Sequence, residues 1–273
     1  MNAKKFRHFL LSAFSVALAV VWLLPLVWLV GTALTKTSFN MTLLPTTPFT
    51  LNNISYVWNA IPFGQYYLNT LILVAVTFVI QFFTSTMAAY SLAMFKFPGQ
   101  ALVFVIIFMQ IIIPNDVLII PNFMTLSDMG LVDTKLGIML PFLGSAMAIF
   151  LLRQSFKTIP RALSEAAKID GATLWQTIWR VYMPCAKAAY MSFAVISVSY
   201  HWNNYLWPLI VTNSVSNRTL TVGLAIFAKS KEADMQWANV CAATLIIILP
   251  LLLAFFIMQK QFMDSFVSAG VKE

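Results

Sequence analysis

Residues 154–187 read QSFKTIPRALSEAAKIDGATLWQTIWRVYMPCAK, a charged segment that separates two strongly apolar runs. The segment is too long for a simple connection between two elements of a compact domain. It also contains two short helix signatures, which an ordinary linker would not need. We therefore expect this segment to have a structural role of its own.

The two helix signatures are defined by their ends. The first begins at Pro160, a residue favoured in the first turn of a helix, and stops at Gly171, the usual residue for a left-handed helix end. The second begins at Thr173, with Gln176 three residues later in a capping-box pattern, and runs to Pro184. Short helices are not stable alone in water, so we expect this helix–turn–helix to rest on the membrane surface or on a docked protein.

The composition of the whole chain indicates that its solvent is a lipid bilayer. Of its 273 residues, 60% are hydrophobic and only 10% are charged. Soluble domains carry roughly 25% charged residues, and a soluble fold of this size has too little interior for so much apolar side chain. The chain is therefore expected to be a membrane protein.

The apolar runs predict an all-α fold, a polytopic membrane protein with six transmembrane helices in a single transmembrane domain over 1–273. A span needs about 20 mostly apolar residues, and isolated strands cannot satisfy their backbone groups in lipid. The first run, residues 9–35, is longer than the apolar part of a signal peptide, so we expect it to be retained. The fourth span is the shortest, contains Gly137, Pro141 and Gly144, and is expected either to be bent or to pack inside the bundle. The predicted spans are roughly 10–34, 68–94, 99–119, 136–153, 188–210 and 238–259.

The distribution of basic residues predicts the orientation of these spans. Most of the 17 Lys and Arg residues fall on one side of the membrane, the side that carries both termini and the loop 154–187. The positive-inside rule places that side in the cytoplasm, which leaves 35–67 and 211–237 as outer loops. This placement also explains the net charge of +8, so nucleic acid is not expected as a partner. The apolar stretch 219–227 either covers the bundle or touches a soluble partner.

Several functional classes lack the residues that they require. The sequence has no GxxxxGK[ST] phosphate-binding loop, so the chain cannot hydrolyse ATP itself. The two Cys and two His residues form no catalytic or metal-ligand pattern, which argues against an enzyme and against a metal site. The middle of the predicted spans carries no ionised residue, in contrast to most ion-driven carriers. An autonomous carrier or channel nevertheless stays as the alternative class.

The fifth span becomes polar and aromatic toward its outer end. Amide side chains next to aromatic rings suit a sugar or polyol, because they offer hydrogen bonds and an apolar face. An aromatic belt with hydrogen bonds between helices would produce the same composition. The residues predicted to line a substrate pathway are Tyr200, Asn203, Asn204, Tyr205 and Trp207.

Two further polar residues have competing interpretations. His201 lies within the same stretch, where a histidine is more often packed in the bundle than used as a ligand. Asp116, between Pro114 and Pro121, indicates either a broken helix end or an exposed acid at the membrane edge, where charges cost little.

Residues 165–172 read EAAKIDGA, and residues 181–184 read VYMP. This pattern resembles the EAA motif of ABC importer permeases, in which Glu-Ala-Ala is followed three residues later by Gly and then by a hydrophobic-x-hydrophobic-Pro close. The stretches FLLRQ at 150–154 and WNNYLWP at 202–208 add to the likeness. Nearly the whole chain resembles the smaller permease subunit of carbohydrate importers, to which the glycerol-3-phosphate permeases are close relatives.

The resemblance implies a type I ABC importer permease, a fold in which a short coupling helix, here 165–170, seats in a cleft of a separate ATPase. The partners it implies are a second homologous permease subunit, two nucleotide-binding ATPase subunits, an extracytoplasmic solute-binding protein that meets the 211–237 loop, and membrane lipid. This chain would bind no cofactor, because ATP and Mg would lie on the ATPase. The implied coupling residues are Glu165, Ala166, Ala167, Asp170, Gly171 and Ala172.

The same resemblance implies import of a sugar or oligosaccharide across the bacterial cytoplasmic (inner) membrane. Glycerol 3-phosphate or a glycerophosphodiester is the alternative substrate. A phosphate would favour Arg or Lys along its path, and the predicted spans contain none in their interiors. The path could lie on the partner subunit, so the two substrate classes both remain open.

Overall fold

The computed structural model describes residues 3–36, 48–229 and 237–270. Within these ranges the regular secondary structure is helical, and β pairing is confined to an isolated bridge between Thr35 and Phe49. The all-α prediction is therefore confirmed. Parts of both predicted outer loops, 37–47 and 230–236, lie outside the described residues.

The helices are numbered α1 to α14 along the chain, with short 3-10 turns at Asn115–Leu118, Leu140–Phe142 and Val215–Asn217. A π-helical turn, Ile178–Tyr182, separates α9 from α10. The helices are α1 Ala3–Ala33, α2 Asn52–Ala60, α3 Phe63–Met94, α4 Gln100–Ile112, α5 Ile119–Asp128, α6 Lys135–Met139, α7 Ala146–Thr158, α8 Arg161–Ile169, α9 Leu174–Thr177, α10 Met183–Cys185, α11 Lys187–Asn203, α12 Leu206–Val211, α13 Leu220–Ala228 and α14 Trp237–Gly270.

Three helices are long and apolar enough to cross a membrane alone, and three bent pairs of helices are so only when the two members are taken together. The single helices cover Arg7–Ala33, Phe63–Met94 and Trp237–Phe256. The bent pairs are Gln100–Ile112 with Asn115–Asp128, Lys135–Phe142 with Ala146–Thr158, and Leu174–Cys185 with Lys187–Asn203. Counting each pair as one span gives the predicted number of six.

The third span differs from the continuous helix predicted over 99–119. Helix α4 ends at Ile112, and the chain turns by 96° before it continues through 115–128. Pro114 explains the break, because a proline has no amide hydrogen and pushes the residue before it out of helical conformation. Ile113 is accordingly extended, with φ −75° and ψ 119°.

The fourth and fifth spans are also interrupted. The fourth bends by 42° between Phe142 and Ala146, where the Ser145 hydroxyl accepts a hydrogen bond from the Ala148 amide (3.2 Å) and starts α7. Helix α7 continues to Thr158, beyond the predicted end at 153. The predicted fifth span, 188–210, is divided into α11 and α12 at residues 204–205.

The chain forms two compact units: residues up to 64 together with 223–252, and residues 65–222 together with those from 253 onward. In the first unit, the Asn53 amide donates to the carbonyl oxygens of Ala33 (2.9 Å) and Thr35 (2.8 Å), which ties α2 to the end of α1. The rings of Trp58 and Phe63 stack at 6.2 Å in the same unit.

The second unit contains two buried clusters that position the candidate sites. The aromatic cluster joins α3, α7, α11 and the segment 161–185, which we call the elbow. Its large members are Tyr90, Leu152, Phe156, Ile178, Tyr182 and Tyr190. The Trp207 cluster joins α3, α5, α6 and α12 through Leu73, Leu126, Ile138, Trp207 and Val211.

Candidate functional site

The first helix of the elbow, α8, ends in a Schellman turn. The Gly171 amide donates to the Lys168 carbonyl (3.0 Å), and the Ala172 amide donates to the Ala167 carbonyl (2.8 Å). These two bonds satisfy carbonyls that a helix end otherwise leaves free. Gly171 has φ +74°, and a Cβ placed on it would meet nothing within 4 Å. Glycine is therefore required here for its backbone conformation and not for lack of space.

The second half of the elbow begins with the predicted capping box. The Thr173 amide donates to Oε1 of Gln176 (2.8 Å), and the Gln176 amide donates to Oγ1 of Thr173 (3.3 Å). The segment Leu174–Cys185 then meets α11 at an angle of 84°. The helix–turn–helix predicted for this segment is confirmed, with a sharp bend where it joins the fifth span.

The implied coupling residues differ in their exposure. Glu165, Ala166 and Asp170 are exposed on the surface of the elbow. Ala167 is buried and packs within the chain, so its small side chain supports the shape of the elbow and is not available to a partner. Ala172 is half-buried at the Schellman turn.

Four exposed apolar side chains, which we call the elbow patch, lie on the same two helices as the exposed coupling residues. Ile169 has 87% of its surface exposed, the largest fraction among the exposed large hydrophobic residues described. Exposed apolar side chains that cluster on one surface commonly mark an interaction site. The patch consists of Leu163, Ile169, Leu174 and Trp175.

Stacked aromatic rings anchor the elbow to α3. The ring of Trp175 stacks on Trp179 (5.6 Å, 18°), and Trp179 stacks on Phe82 (5.6 Å, 26°). Phe83 meets Trp179 edge to face at 5.7 Å. Such pairs stabilise by about 0.5–1.5 kcal/mol each beyond the area they bury. The elbow is thereby fixed to a long membrane helix.

Tyr182 carries the contact from the elbow into the bundle. Its side chain is fully buried, and its ring meets Tyr90 at 5.1 Å and Phe156 at 5.5 Å, both edge to face. Its hydroxyl also contacts the sulfur of Met94 at 2.9 Å. Because Phe156 belongs to α7 and Tyr90 to α3, Tyr182 joins the elbow to both helices.

The residues predicted to line a pathway do not share one environment. The Tyr200 hydroxyl accepts a hydrogen bond from the Asn115 amide (2.9 Å), which links α11 to the break after α4. The exposed Asn203 side chain donates to the Ser199 carbonyl (2.8 Å) within its own helix. Asn204 and Tyr205 form the break between α11 and α12 and are half-buried.

Trp207 is a packing residue in this structure. Its ring is buried in the Trp207 cluster, and its indole Nε1 donates to the Ile138 carbonyl (3.1 Å). One edge of the ring also borders a small cavity of about 70 Å³. The amphipathic ring thus closes the wall of that cavity while it holds α12 against α6.

A larger polar cavity of about 300 Å³ lies between α3, α11 and the breaks of the third and fourth spans. Sequence reasoning identified Tyr200 and His201 near it but missed the amides that α3 and α4 contribute. The available signal was the presence of Gln81 and Gln110 within apolar stretches of these helices, because polar side chains in spans usually face the bundle. The missed polar residues are Gln81, Gln110, Asn115 and Ser145, whereas Ser197 belongs to the polar end of the fifth span. Among the described residues, no group of three or more His, Cys, Asp or Glu side chains could hold a metal ion.

Asp133 fixes two connecting segments outside the spans. Its Oδ1 accepts hydrogen bonds from the Asn213 amide and from the amide and hydroxyl of Ser214, each at 3.0 Å. Partial burial raises the pKa of the Asp133 carboxyl, but these hydrogen bonds outweigh that effect and hold the pKa below its ordinary value. The carboxylate therefore joins the α5–α6 connection to the segment after α12.

Comparisons with known proteins agree with these features. Residues 81–265 match the family described as "Binding-protein-dependent transport system inner membrane component". The chain is 34% identical over 235 residues to the sn-glycerol-3-phosphate transport system permease protein UgpE of Yersinia pestis, covering 84% of this chain and 83% of that protein. It is 32% identical over 252 residues to the lactose transport system permease protein LacG of Rhizobium radiobacter, covering 92% of each.

The fold is also that of a solved transporter. One chain of a bacterial ABC transporter involved in the import of the acidic polysaccharide alginate superposes with a TM-score of 0.84 at 22% identity. The match covers 96% of this chain and 98% of that chain. The resemblance inferred from the EAA-like pattern is thus confirmed. This chain belongs to the family of inner-membrane components of binding-protein-dependent transport systems, and it is the membrane-spanning permease subunit of an ABC importer.

Proposed function

We propose that this permease imports a neutral sugar or oligosaccharide, and that a separate ATPase drives it through the elbow. The observation that carries the proposal is the elbow patch, an exposed apolar surface beside Glu165 and Asp170 on two helices that are anchored in the bundle. Such a surface needs a partner. The family consists of permease subunits, which are not enzymes themselves, so the energy comes from another subunit.

The mechanism follows from how the elbow is held. Ile169 and Ala166 would enter a cleft of the ATPase, and Glu165 and Asp170 would make polar contacts at its edge. Gly171 and Ala172 set the turn that presents this surface. When ATP closes two such ATPases, Tyr182 would transmit the displacement to α3 and α7, which biases the bundle between two arrangements.

Substrate chemistry is inferred from the relatives and from the lining of the cavity. The names of the relatives give sn-glycerol 3-phosphate and lactose as their substrates. A phosphate group is usually recognised by Arg or Lys, whereas the residues that line the 300 Å³ cavity include neither. We therefore favour a sugar. Glycerol 3-phosphate or a glycerophosphodiester is the second candidate, because it is the substrate of the 34% identical relative.

The proposed pathway uses the polar end of the fifth span. Tyr200 borders both cavities, Asn204 and Trp207 border the smaller one, and Asn203 and Tyr205 lie beside them in the sequence. Neutral amides and rings in this arrangement match the hydroxyl groups and the apolar face of a sugar. The contact of these five residues with the solute is part of the proposal.

The remaining partners follow from the family. A binding-protein-dependent system uses an extracytoplasmic solute-binding protein, which we place at the outer loop 211–237. A second homologous permease subunit and lipid would cover the apolar sides, and two ATPase subunits would carry the ATP and Mg. Both termini would lie in the cytoplasm, as the positive-inside rule indicates. An autonomous carrier would need none of these partners.

Copurification tests the proposal. A tagged copy of this chain should purify with an ATPase from the membrane, and Glu165→Lys should reduce ATPase recovery and ATP-dependent uptake. Asp128→Lys is the matched control, because it makes the same charge reversal at an exposed position outside the elbow. Equal ATPase recovery from Glu165→Lys and Asp128→Lys, with normal uptake by both, would reject docking at the elbow.

A further inference from the structure

Two helix breaks face the 300 Å³ cavity. One is the break after α4, at residues 113–115, and the other is the break before α7, at residues 142–145. At membrane depth, non-helical backbone is tolerated only where it is buried in protein or lines a water-filled cavity. Two interrupted spans that meet at one cavity therefore indicate that this space contains water or a polar solute.

The wall of the cavity is held by Gln81, whose side chain is 96% buried. Its amide nitrogen donates to the Phe142 carbonyl (2.6 Å) and contacts Nε2 of His201 (3.2 Å), and its Oε1 accepts from the Ser197 hydroxyl (2.6 Å). The Phe142 carbonyl can only accept, which fixes the orientation of the amide. The amide nitrogen also lies next to the imidazole, so Gln81 joins Phe142, Ser197 and His201 in one wall of the cavity.

The lining as a whole is uncharged and offers free polar groups. No Lys, Arg, Asp or Glu residue lines this cavity. The Gln110 side chain makes no hydrogen bond to any described residue and presents a free amide near the end of α4, after nine apolar residues. The Tyr200 hydroxyl accepts from Asn115, so its own hydrogen stays available to an acceptor. Donors and acceptors without charge match hydroxyl groups better than phosphate or carboxylate groups.

The same residues connect this cavity to the 70 Å³ cavity next to Trp207. Gln110, Asn115, Phe142 and Tyr200 line both spaces. The rings of Phe142 and Tyr200 meet edge to face at 5.8 Å and supply the apolar surface of the shared wall. A solute in the larger cavity would therefore contact rings and amides together, and a volume of 300 Å³ is at the lower end of small-molecule sites.

We propose that the cavity at the two helix breaks is a solute-binding site on this subunit, and that it takes one neutral, hydroxyl-rich unit such as a sugar ring. Gln110 and Tyr200 bind its hydroxyl groups, and Gln81 and Ser197 position His201 in the wall. The inference rests on the proposed import function and assigns the substrate class to residues of this chain.

The test uses bacterial cells that carry the intact transport genes, with only the gene for this chain altered. The probes are radiolabelled lactose, maltose and sn-glycerol 3-phosphate, and the variants are Gln110→Leu, Gln110→Asn and Tyr200→Phe. Met109→Leu is the matched control, because Met109 is the exposed neighbour of Gln110 and does not line the cavity. Copurified ATPase and partner permease are measured for every variant, to separate loss of binding from loss of assembly.

We expect the wild type to accumulate a neutral sugar. Gln110→Leu and Tyr200→Phe should each raise the half-saturating concentration by about fivefold to tenfold, the effect of one lost hydrogen bond. Gln110→Asn should be affected less, and Met109→Leu should match the wild type.

Wild-type uptake with both Gln110→Leu and Tyr200→Phe would overturn the site but leave the import function standing. Loss of the partner permease from Gln110→Leu would also overturn it, because Gln110 would then be a subunit contact. Accumulation of sn-glycerol 3-phosphate alone would overturn the assignment of a neutral solute. A complete absence of ATP-dependent uptake for all three probes would overturn both the proposed function and the site.

Discussion

Replacing Gly171 with alanine isolates the backbone requirement of the elbow from every other property of the residue. Gly171 lies at φ +74° with open space around its Cβ position, so alanine meets no atom. The cost is conformational, about 1–2 kcal/mol for an L-residue in the left-handed region. The Schellman bonds of Gly171 and Ala172 exist only in that conformation.

The structure provides a matched control at Gly99. This residue also has a positive φ, +79°, and a Cβ there would meet nothing within 4 Å. Gly99→Ala therefore carries the same intrinsic cost in the connection before α4, outside the elbow. A difference in ATPase affinity between the two variants therefore reports the effect of the elbow's conformation on ATPase binding, and not a general loss of stability.

We expect Gly171→Ala to weaken ATPase association by about fivefold to thirtyfold, which is what 1–2 kcal/mol amounts to when the docking conformation is lost. Gly171→Asn should be milder, because Asn tolerates the left-handed region better than other non-glycine residues. The assay is titration of the purified ATPase onto the permease in nanodiscs, with thermal unfolding of each variant measured alongside. Equal affinities for Gly171→Ala and Gly99→Ala would refute the reasoning.

Three other changes test the framework around the elbow and the outer segments. Tyr182→Ala should lower the free energy of unfolding by about 3–5 kcal/mol, measured by thermal unfolding in detergent. Tyr182→Phe should lower it by less than about 1.5 kcal/mol. Similar losses from both variants would show that the hydroxyl, and not the ring, provides the stabilisation. The Arg153 guanidinium lies 3.9 Å from the centre of the Phe104 ring, and its Nε donates to the Leu92 carbonyl (3.2 Å). Arg153→Met should therefore lower the free energy of unfolding by about 1–2 kcal/mol in the same measurement. An unchanged melting temperature would contradict this prediction. The Asp133 carboxyl has a lowered pKa, so its stabilising contribution is fully present above the ordinary value of 3.8 and is lost as the pH falls through the folded-state pKa. The melting temperatures of the wild type and Asp133→Asn should therefore differ at neutral pH and converge in acid, and a constant gap would show that the carboxylate charge is not involved.

The sequence predicted the elements whose signals are local. The stop at Gly171 and the capping box at Thr173 and Gln176 depend on neighbouring residues only, and the structure has both. The long apolar runs of α1, α3 and α14 were equally clear, because a span is defined by composition over about 20 residues.

The breaks and the cavity required tertiary information. Pro114 signals a possible helix break, but many membrane helices contain proline, as α14 does at Pro250. Whether Gln81 meets His201 depends on the packing of α3 against α11, which are more than 100 positions apart in the chain. The burial of Ala167 within the chain was not predicted for the same reason, since exposure of a small residue depends on what packs against it.

The central claim is that the elbow faces the cytoplasm, where an ATPase can reach it. Cys185 is a free, exposed thiol at the end of the elbow, and the second cysteine, Cys241, is buried. In a Cys241→Ala background, a membrane-impermeant maleimide should label Cys185 in inverted membrane vesicles and leave it unlabelled in sealed spheroplasts. Labelling in spheroplasts with no labelling in inverted vesicles would put the elbow on the outer side and contradict the account.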